Sequence, residues 1–287
     1  MTNNKKILVL VLCSRNYLSK ISSSSQRDIW GKYEKKYKFF HFVGEVDKKN
    51  GEVNYINKNN ESYLLLNVDD GYSSIAKKTL LALEDAYSRF DFDFIFRTNT
   101  SSYINVNRLE KFISDNEKIL EYCGKKLITE NGDTIASGAG FFLSRKNVEL
   151  LLKKRNYFEE SLPDDVAIAR LLKRFNIHPN ELPRTDLKGV PSPTEAYYGN
   201  DFHYRCRLDP NYHRILEPKL MSYLENATNK NNFLVYLEYY FLKLLFVSTN
   251  LKLVNKVIQK YYSYKFYGEM QLGNKLIYKK NNKGYFK

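Results

Sequence analysis

Two hydrophobic patterns alternate along the chain as far as about residue 193. Residues 7–13, 39–43 and 94–97 are short, mostly apolar runs of strand length, the pattern of strands covered on both faces. Between them apolar residues recur at helical spacing. Residues 75–90 put Ile75, Leu80, Leu83 and Tyr87 near one face, and residues 145–155 and 166–175 read as two further helices, the second opening just after Pro163-Asp164-Asp165. This alternation predicts an α/β fold: a Rossmann-type, mostly parallel central sheet flanked by helices. Ligands in such sheets sit beyond the carboxyl ends of the strands, which directs attention to residues 14–27 and 98–102.

Pro179, Pro183, Pro191 and Pro193 break the pattern after Ile177. An aromatic and basic stretch follows over 200–208, and residues 232–264 carry Leu234, Leu237, Phe241, Leu244, Leu245, Leu251, Val254 and Val257 at helical spacing. We expect a core over residues 1–210 and a helical, basic-aromatic extension over 211–287. The extension has two readings: an appendage packed on the core, or a basic amphipathic surface resting on an anionic membrane, which Lys243, Lys252, Lys256, Lys260 and Lys265 favour.

The formal charge of +14 suits an anionic partner such as nucleic acid, an acidic membrane or a diphosphate. Abundant Lys, Asn, Tyr and Ile also follow from an AT-rich coding sequence without any selection for binding. The basic residues are scattered, with neither an RRM-like aromatic pair nor a KH-type glycine loop, so no specific nucleic acid is expected. Cys13, Cys123 and Cys206 are odd in number and widely spaced, which gives neither a disulfide framework nor a zinc site and suits a reducing, cytoplasmic compartment. The four histidines include no i, i+4 pair. Residues 7–13 are short for a signal peptide and lack a small-residue cleavage site, so a first buried strand is the better reading. Nothing later offers the ~20 apolar residues of a membrane span.

Four collinear segments carry the chemistry. They are Gln26-Arg27-Asp28-Ile29-Trp30-Gly31, followed by an apolar run ending in Val43-Gly44-Glu45; Asp70-Gly71-Tyr72-Ser73-Ser74-Ile75-Ala76-Lys77-Lys78-Thr79; Ala136-Ser137-Gly138-Ala139-Gly140-Phe141 with Ser144; and Asp164-Asp165-Val166-Ala167-Ile168-Ala169. In this order they resemble the Arg-x-x-Trp-Gly, Asp-x-Tyr-x-Asn-Leu-Thr-x-Lys-Thr, Ala-Ser-Gly-x-Gly-Tyr and Glu-Asp-Val-x-Val-Gly elements of the fringe and β-1,3-galactosyltransferase-like superfamily of inverting glycosyltransferases. The resemblance spans about residues 7–178 and implies a GT-A-like fold. It also implies transfer of a sugar from a nucleotide-sugar donor, by family habit a UDP-sugar, to a hydroxyl of a glycan or glycolipid acceptor, with inversion.

One hallmark is missing. Where the family places an acidic, cation-holding triplet after the strand 94–97, this chain has Asn99, Thr100 and Ser101. Hard cations prefer carboxylate oxygens, so no cofactor is expected to be required and Mn²⁺ is disfavoured. Asp91 and Asp93 precede that strand and read as the turn leading into it, at the wrong end of the sheet.

The resemblance implies Asp165 as the base that takes the acceptor proton, a position at a helix start that favours negative charge; the alternative is that Asp164 and Asp165 only cap the helix. It places Ser14, Arg15, Arg27, Asp70 and Lys78 around the nucleotide. Gly138, Ala139 and Gly140 would let backbone approach the sugar, or form a simple turn. Arg97, Thr98 and Asn99 fall at the missing acidic site and are expected to bind the donor, with the alternative that Arg97, inside the strand, faces the core edge. His203 and Arg205 are expected to contact the diphosphate as fixed cations in place of a metal, against the alternative of a loop held by its aromatics. The competing function is a protein that binds sugar or nucleotide on the same fold without catalysis.

Overall fold

The computed structural model describes residues 5–33, 37–45, 54–58, 61–208 and 211–248. The chain forms β1 (Ile7–Leu12), α1 (Tyr17–Trp30), β2 (Lys38–Gly44), β3 (Asn54–Lys58), β4 (Glu61–Leu66), α2 (Ile75–Arg89), β5 (Phe94–Asn99), β6 (Ser102–Ile104) and α3 (Val106–Asn116). It continues through β7 (Tyr122–Ile128), β8 (Thr134–Ser144), α4 (Arg145–Lys153), α5 (Asp164–Lys173), β9 (Asn180–Glu181), β10 (Thr185–Asp186), α6 (Pro193–Tyr198), β11 (His203–Arg205), α7 (Glu217–Ala227) and α8 (Phe233–Ser248).

Eight strands make the central sheet, in the order β3-β4-β2-β1-β5-β8-β7-β9. Strands β4, β2, β1 and β5 run parallel, while β8 lies antiparallel between β5 and β7. The apolar run of β1 explains its central place, because both faces are covered. Ile7, Val9 and Val11 join one core with Trp30, Leu109 and Leu224; Leu8 and Leu10 join the other with Leu80, Leu83, Val148 and Leu171. The mixed α/β fold with a mostly parallel sheet flanked by helices is therefore as the alternation predicts. From β1 the chain moves outward to β2 and returns through α2 to β5 on the other side, so the switch-point crevice opens at the carboxyl ends of β1 and β5.

Residues 17–30 of the stretch beyond the first strand form helix α1, an element that the hydrophobic pattern does not predict. Its buried face is polar, with Ser19, Ser22, Ser23 and Gln26 inside, so it shows little apolar periodicity. Hydrogen bonding replaces that signal. Asn16 caps its first turn by accepting from Ser19 N at 2.8 Å, and Gln26 Nε2 donates to Asn99 O at 3.0 Å and Ser102 O at 2.7 Å.

Beyond Ile177 a small second sheet, β10-β11-β6, brings residues 203–205 back to the end of β5. His203 lies opposite Ile104 and Arg205 opposite Ser102, and Cys206 N donates to Ser101 O at 2.7 Å. Helix α7 buries Leu220, Met221, Tyr223 and Leu224 in the same core as Ile7 and Val9. Helix α8 buries Val235 and Leu242 and leaves much of its other surface open. The helical pattern expected over 232–264 is seen in α8; Leu251, Val254, Val257, Lys252, Lys256, Lys260 and Lys265 lie outside the described residues. Among the described residues no helix is long and apolar enough to cross a membrane.

Asp91 and Asp93 sit at the amino edge. Asp93 accepts from Lys6 N at 2.8 Å and Asp91 pairs with the Lys6 ammonium, which ties the starts of β1 and β5 together. The open groove there, bordered by Lys5, Asp91 and Lys118, faces away from the strand carboxyl ends.

Candidate active site

The site is built on the glycine loop of β8. Gly138 N donates to Asp165 Oδ2 at 2.7 Å, and Asp165 Oδ1 accepts from Val166 N at 3.0 Å. Asp165 is half-buried in the first turn of α5. A Cβ on Gly138 would stand 2.9 Å from Asp165 Oδ2, so this close approach requires glycine. Neighbouring Asp164 is buried and does not cap the helix. It pairs with the Arg97 guanidinium and accepts from Thr79 Oγ1 at 2.7 Å. Burial pushes its carboxyl above the usual range, an effect that Arg97 partly offsets.

Arg97 is 1% exposed and its Nη1 donates to Gly138 O. Because Arg97 lies beneath the glycine loop, it supports that loop and Asp164 and does not meet a donor at the surface, which corrects the donor-binding expectation in favour of the alternative that it faces the core edge. Thr98 is also buried, with Oγ1 donating to Ala139 O at 2.7 Å. Asn99 is half-buried at the strand end, its Nδ2 3.4 Å from Gly138 O.

A second cluster joins the ends of β1, β2 and β4. Asp70 Oδ2 accepts from Arg15 N at 2.6 Å, and Oδ1 accepts from Gly44 N at 3.1 Å and from Lys78 Nζ at 2.9 Å. Lys78 is 1% exposed and also reaches Cys13 O and Asp70 O, so its ammonium is a tether between loops; the expected contact with ribose or phosphate is corrected. Ser14 and Arg15 remain half-buried at the crevice, with Arg15 Nη2 3.4 Å from Glu45 Oε1. The Arg27 guanidinium lies over the Tyr63 ring, 4.5 Å from its centroid. Trp30 stacks on Phe39 in the core.

His203 is fully buried under Gly140, whose Cβ, if present, would collide with the imidazole and approach Phe96 Cζ to 2.8 Å. Gly140 therefore makes room for His203 and not for a sugar. Burial pushes the imidazole down to about 3, aided by the nearby Arg184 guanidinium, so the ring is neutral and its Nε2 pairs with Ser102 Oγ at 3.1 Å. It cannot serve as a cation on a diphosphate. Arg205, at the end of the same strand, is half-buried, and its buried Nε has no hydrogen-bond partner among the described residues.

The divalent cation implied by the resemblance does not fit these residues. Asn99 Oδ1 accepts from Ser101 N at 3.0 Å, Thr100 Oγ1 lies 3.3 Å from Ser19 Oγ, and Ser101 Oγ donates to Glu217 Oε2 at 3.1 Å. Ser101 Oγ also lies 3.2 Å from Arg214 Nη2, so the place of the triplet's last carboxylate already holds a guanidinium, which repels a second cation. Among the described residues no cluster of three His, Cys, Asp or Glu is arranged to hold a metal ion.

Four side chains of this site carry no local signal that sequence reading could use: Gln26, Arg184, Arg214 and Glu217. Arg184 Nη1 donates to Ser137 Oγ at 2.9 Å in the glycine loop and its Nε and Nη2 form a fork onto Asp186. Arg184 and Arg214 each meet a carboxylate close by in sequence, but the contacts with Ser137 and Ser101, and those of Gln26 with Asn99 and Ser102, come from the fold alone.

The family model described as galactosyltransferase matches residues 23–136. The match contains the Arg27–Gly31 and Asp70–Thr79 elements and stops at the start of the glycine loop. Over that segment the match supports the resemblance read from the motifs, to a β-1,3-galactosyltransferase-like glycosyltransferase. Among solved structures the chain is similar to "a glycosyltransferase involved in the glycosylation of the major capsid of PBCV-1", with a TM-score of 0.47 and 10% identity over 76% of this chain and 98% of that chain. No curated protein sequence matches the chain.

Proposed function

We propose that this glycosyltransferase moves a sugar from a nucleoside diphosphate donor, a UDP-sugar, to a hydroxyl of a glycan or glycolipid acceptor, with inversion and without a bound divalent cation. The observation that carries the reading is Asp165: a half-buried carboxylate at the strand carboxyl ends, held against Gly138 N at 2.7 Å. In this reading Asp165 accepts the proton of the acceptor hydroxyl as that oxygen attacks the anomeric carbon. The bond from that carbon to the diphosphate oxygen breaks on the opposite face, and its electron pair leaves with the diphosphate. A hexosyl or pentosyl group is carried equally well by this chemistry. The test is calorimetry and turnover against a panel of nucleotide sugars, with EDTA and with Mn²⁺. Binding of one donor, with transfer or slow hydrolysis that survives EDTA, supports the reading; activity abolished by EDTA and restored by Mn²⁺ overturns its metal-free part. Donor binding with no transfer to any acceptor favours the non-catalytic alternative.

A surface on α8 supports a lipid-borne acceptor. On α8, Leu234, Leu237, Phe241, Leu244 and Val247 are each at least half exposed, an apolar stripe at helical spacing. The 39 residues that follow, 249–287, carry nine lysines against the single acid Glu269. An apolar stripe followed in the sequence by positive charge fits an anionic lipid surface, where a glycolipid acceptor resides. Sedimentation with phosphatidylglycerol-containing vesicles is expected for the full chain and is lost in Phe241→Asp/Leu244→Asp. Failure of the unaltered chain to bind these vesicles overturns the lipid-surface reading.

A further inference from the structure

The crevice holds a cationic group that none of the motifs marks. Arg214 follows the small second sheet and its guanidinium is fixed from two sides: Nε donates to Glu217 Oε1 at 2.9 Å and Nη2 lies 3.2 Å from Ser101 Oγ. Glu217 is fully buried and its oxygens are committed, Oε2 to Ser101 Oγ at 3.1 Å and Oε1 also to Leu208 N at 3.3 Å. A buried carboxylate with these partners cannot turn toward a ligand, and it holds the guanidinium in one orientation. The Arg214 side chain keeps 19% of its surface exposed, and no described residue engages its Nη1.

The place of this group decides its role. Ser101 stands immediately beyond β5, at the switch-point crevice. A chain of hydrogen bonds links it to the base: Ser101 N to Asn99 Oδ1, Asn99 Nδ2 to Gly138 O, and Gly138 N to Asp165 Oδ2. Arg205 and Arg207 flank Cys206, whose N–H binds Ser101 O, and Arg184 stands near Arg205. Arg184 pairs with Asp186 and Arg214 with Glu217, and Arg205 stands near both carboxylates, so among these described residues positive charge is in excess.

We propose that Arg214 is a donor-binding and catalytic residue that contacts the leaving diphosphate, supplying at Ser101 the positive charge that a triplet-bound metal would otherwise provide. The guanidinium fork matches a diphosphate's paired oxygens, and charge fixed before the reaction stabilises the oxyanion that forms as the glycosidic bond breaks. The proposal rests on the nucleotide-sugar reading given above and narrows it to one side chain.

The experiment measures binding of UDP, GDP, ADP and dTDP, each beside its nucleoside, to the full chain and to Arg214→Ala and Arg214→Lys, with thermal melting as the folding control. For the diphosphate that the unaltered chain binds, Arg214→Ala is expected to weaken affinity at least about tenfold while nucleoside affinity changes less than about twofold. Arg214→Lys is expected to recover part of the loss, and added guanidinium chloride to restore turnover to Arg214→Ala. Equal diphosphate affinity in a folded Arg214→Ala overturns the assignment and leaves the transferase reading standing. Parallel losses for nucleoside and diphosphate also overturn it, since they mark a structural role. No binding of any diphosphate by the unaltered chain removes the transferase reading itself.

Discussion

The backbone N–H of Gly138 donates to the carboxylate of Asp165 at 2.7 Å, across 27 residues of sequence and between the glycine loop of β8 and the first turn of α5. The bond fixes one carboxylate oxygen on the loop, and both oxygens keep lone pairs for an incoming proton.

Asp165→Asn preserves the shape of the side chain and removes its capacity as a base. Turnover is expected to fall about 10²–10⁴-fold, with donor affinity within a few-fold of the original. Steady-state kinetics paired with calorimetry check both halves, and unchanged turnover would remove the base assignment.

Gly140 lies directly against His203, so Gly140→Ala forces a methyl group into the imidazole and toward Phe96. The cost expected from overpacking is about 1–3 kcal/mol. A urea titration should show the midpoint falling; a variant as stable as the original would mean that the loop and His203 separate readily.

Lys78→Met leaves Asp70 without its ammonium partner while Arg15 N and Gly44 N still bind it. Removal of one member of a largely buried pair is expected to destabilise the fold by about 3–5 kcal/mol. The donor KM should rise as the loops after β1, β2 and β4 loosen. A raised KM without lost stability would instead point to direct contact between Lys78 and the donor.

His203 titrates at about 3 in the folded chain, because burial disfavours its charged form, against about 6.5 when unfolded. Between these values the unfolded chain holds a proton that the native chain lacks. Stability therefore falls as pH drops from about 6.5 toward about 3, by about 1.4 kcal/mol per pH unit for this group, and is flat above that window. Buried His41 is depressed in the same direction by burial and adds to the slope. Thermal melts across this range should show a steep acid limb, shallower by one proton in His203→Asn. An unchanged slope in that variant would refute the assignment.

Strands β1, β2 and β5 and helices α2, α4 and α5 were legible in the sequence because period and length are local properties. The unbroken apolar run of β1 needs both faces covered, and the 3.6-residue spacing of α2 needs one. The candidate base was legible for a similar reason: the glycine loop and the Asp164-Asp165 turn are contiguous segments with recognisable order. Helix α1 escaped notice because serine and glutamine hydrogen bonds, not apolar residues, hold its buried face.

Depth and long-range pairing belonged to the tertiary structure. Arg97, Lys78 and His203 look like ligand-binding cations in the sequence, yet packing buries each of them and assigns its polar atoms to Asp164, Asp70 and Ser102. The side chains that complete the site come from far away: Ser101 and Glu217 meet across 116 residues, and Arg184 reaches Ser137 across 47. A sequence records which residues can pair by chemistry. Only the assembled sheet, by fixing which strand ends face one crevice, decides which of them reach solvent and which are spent holding the fold together.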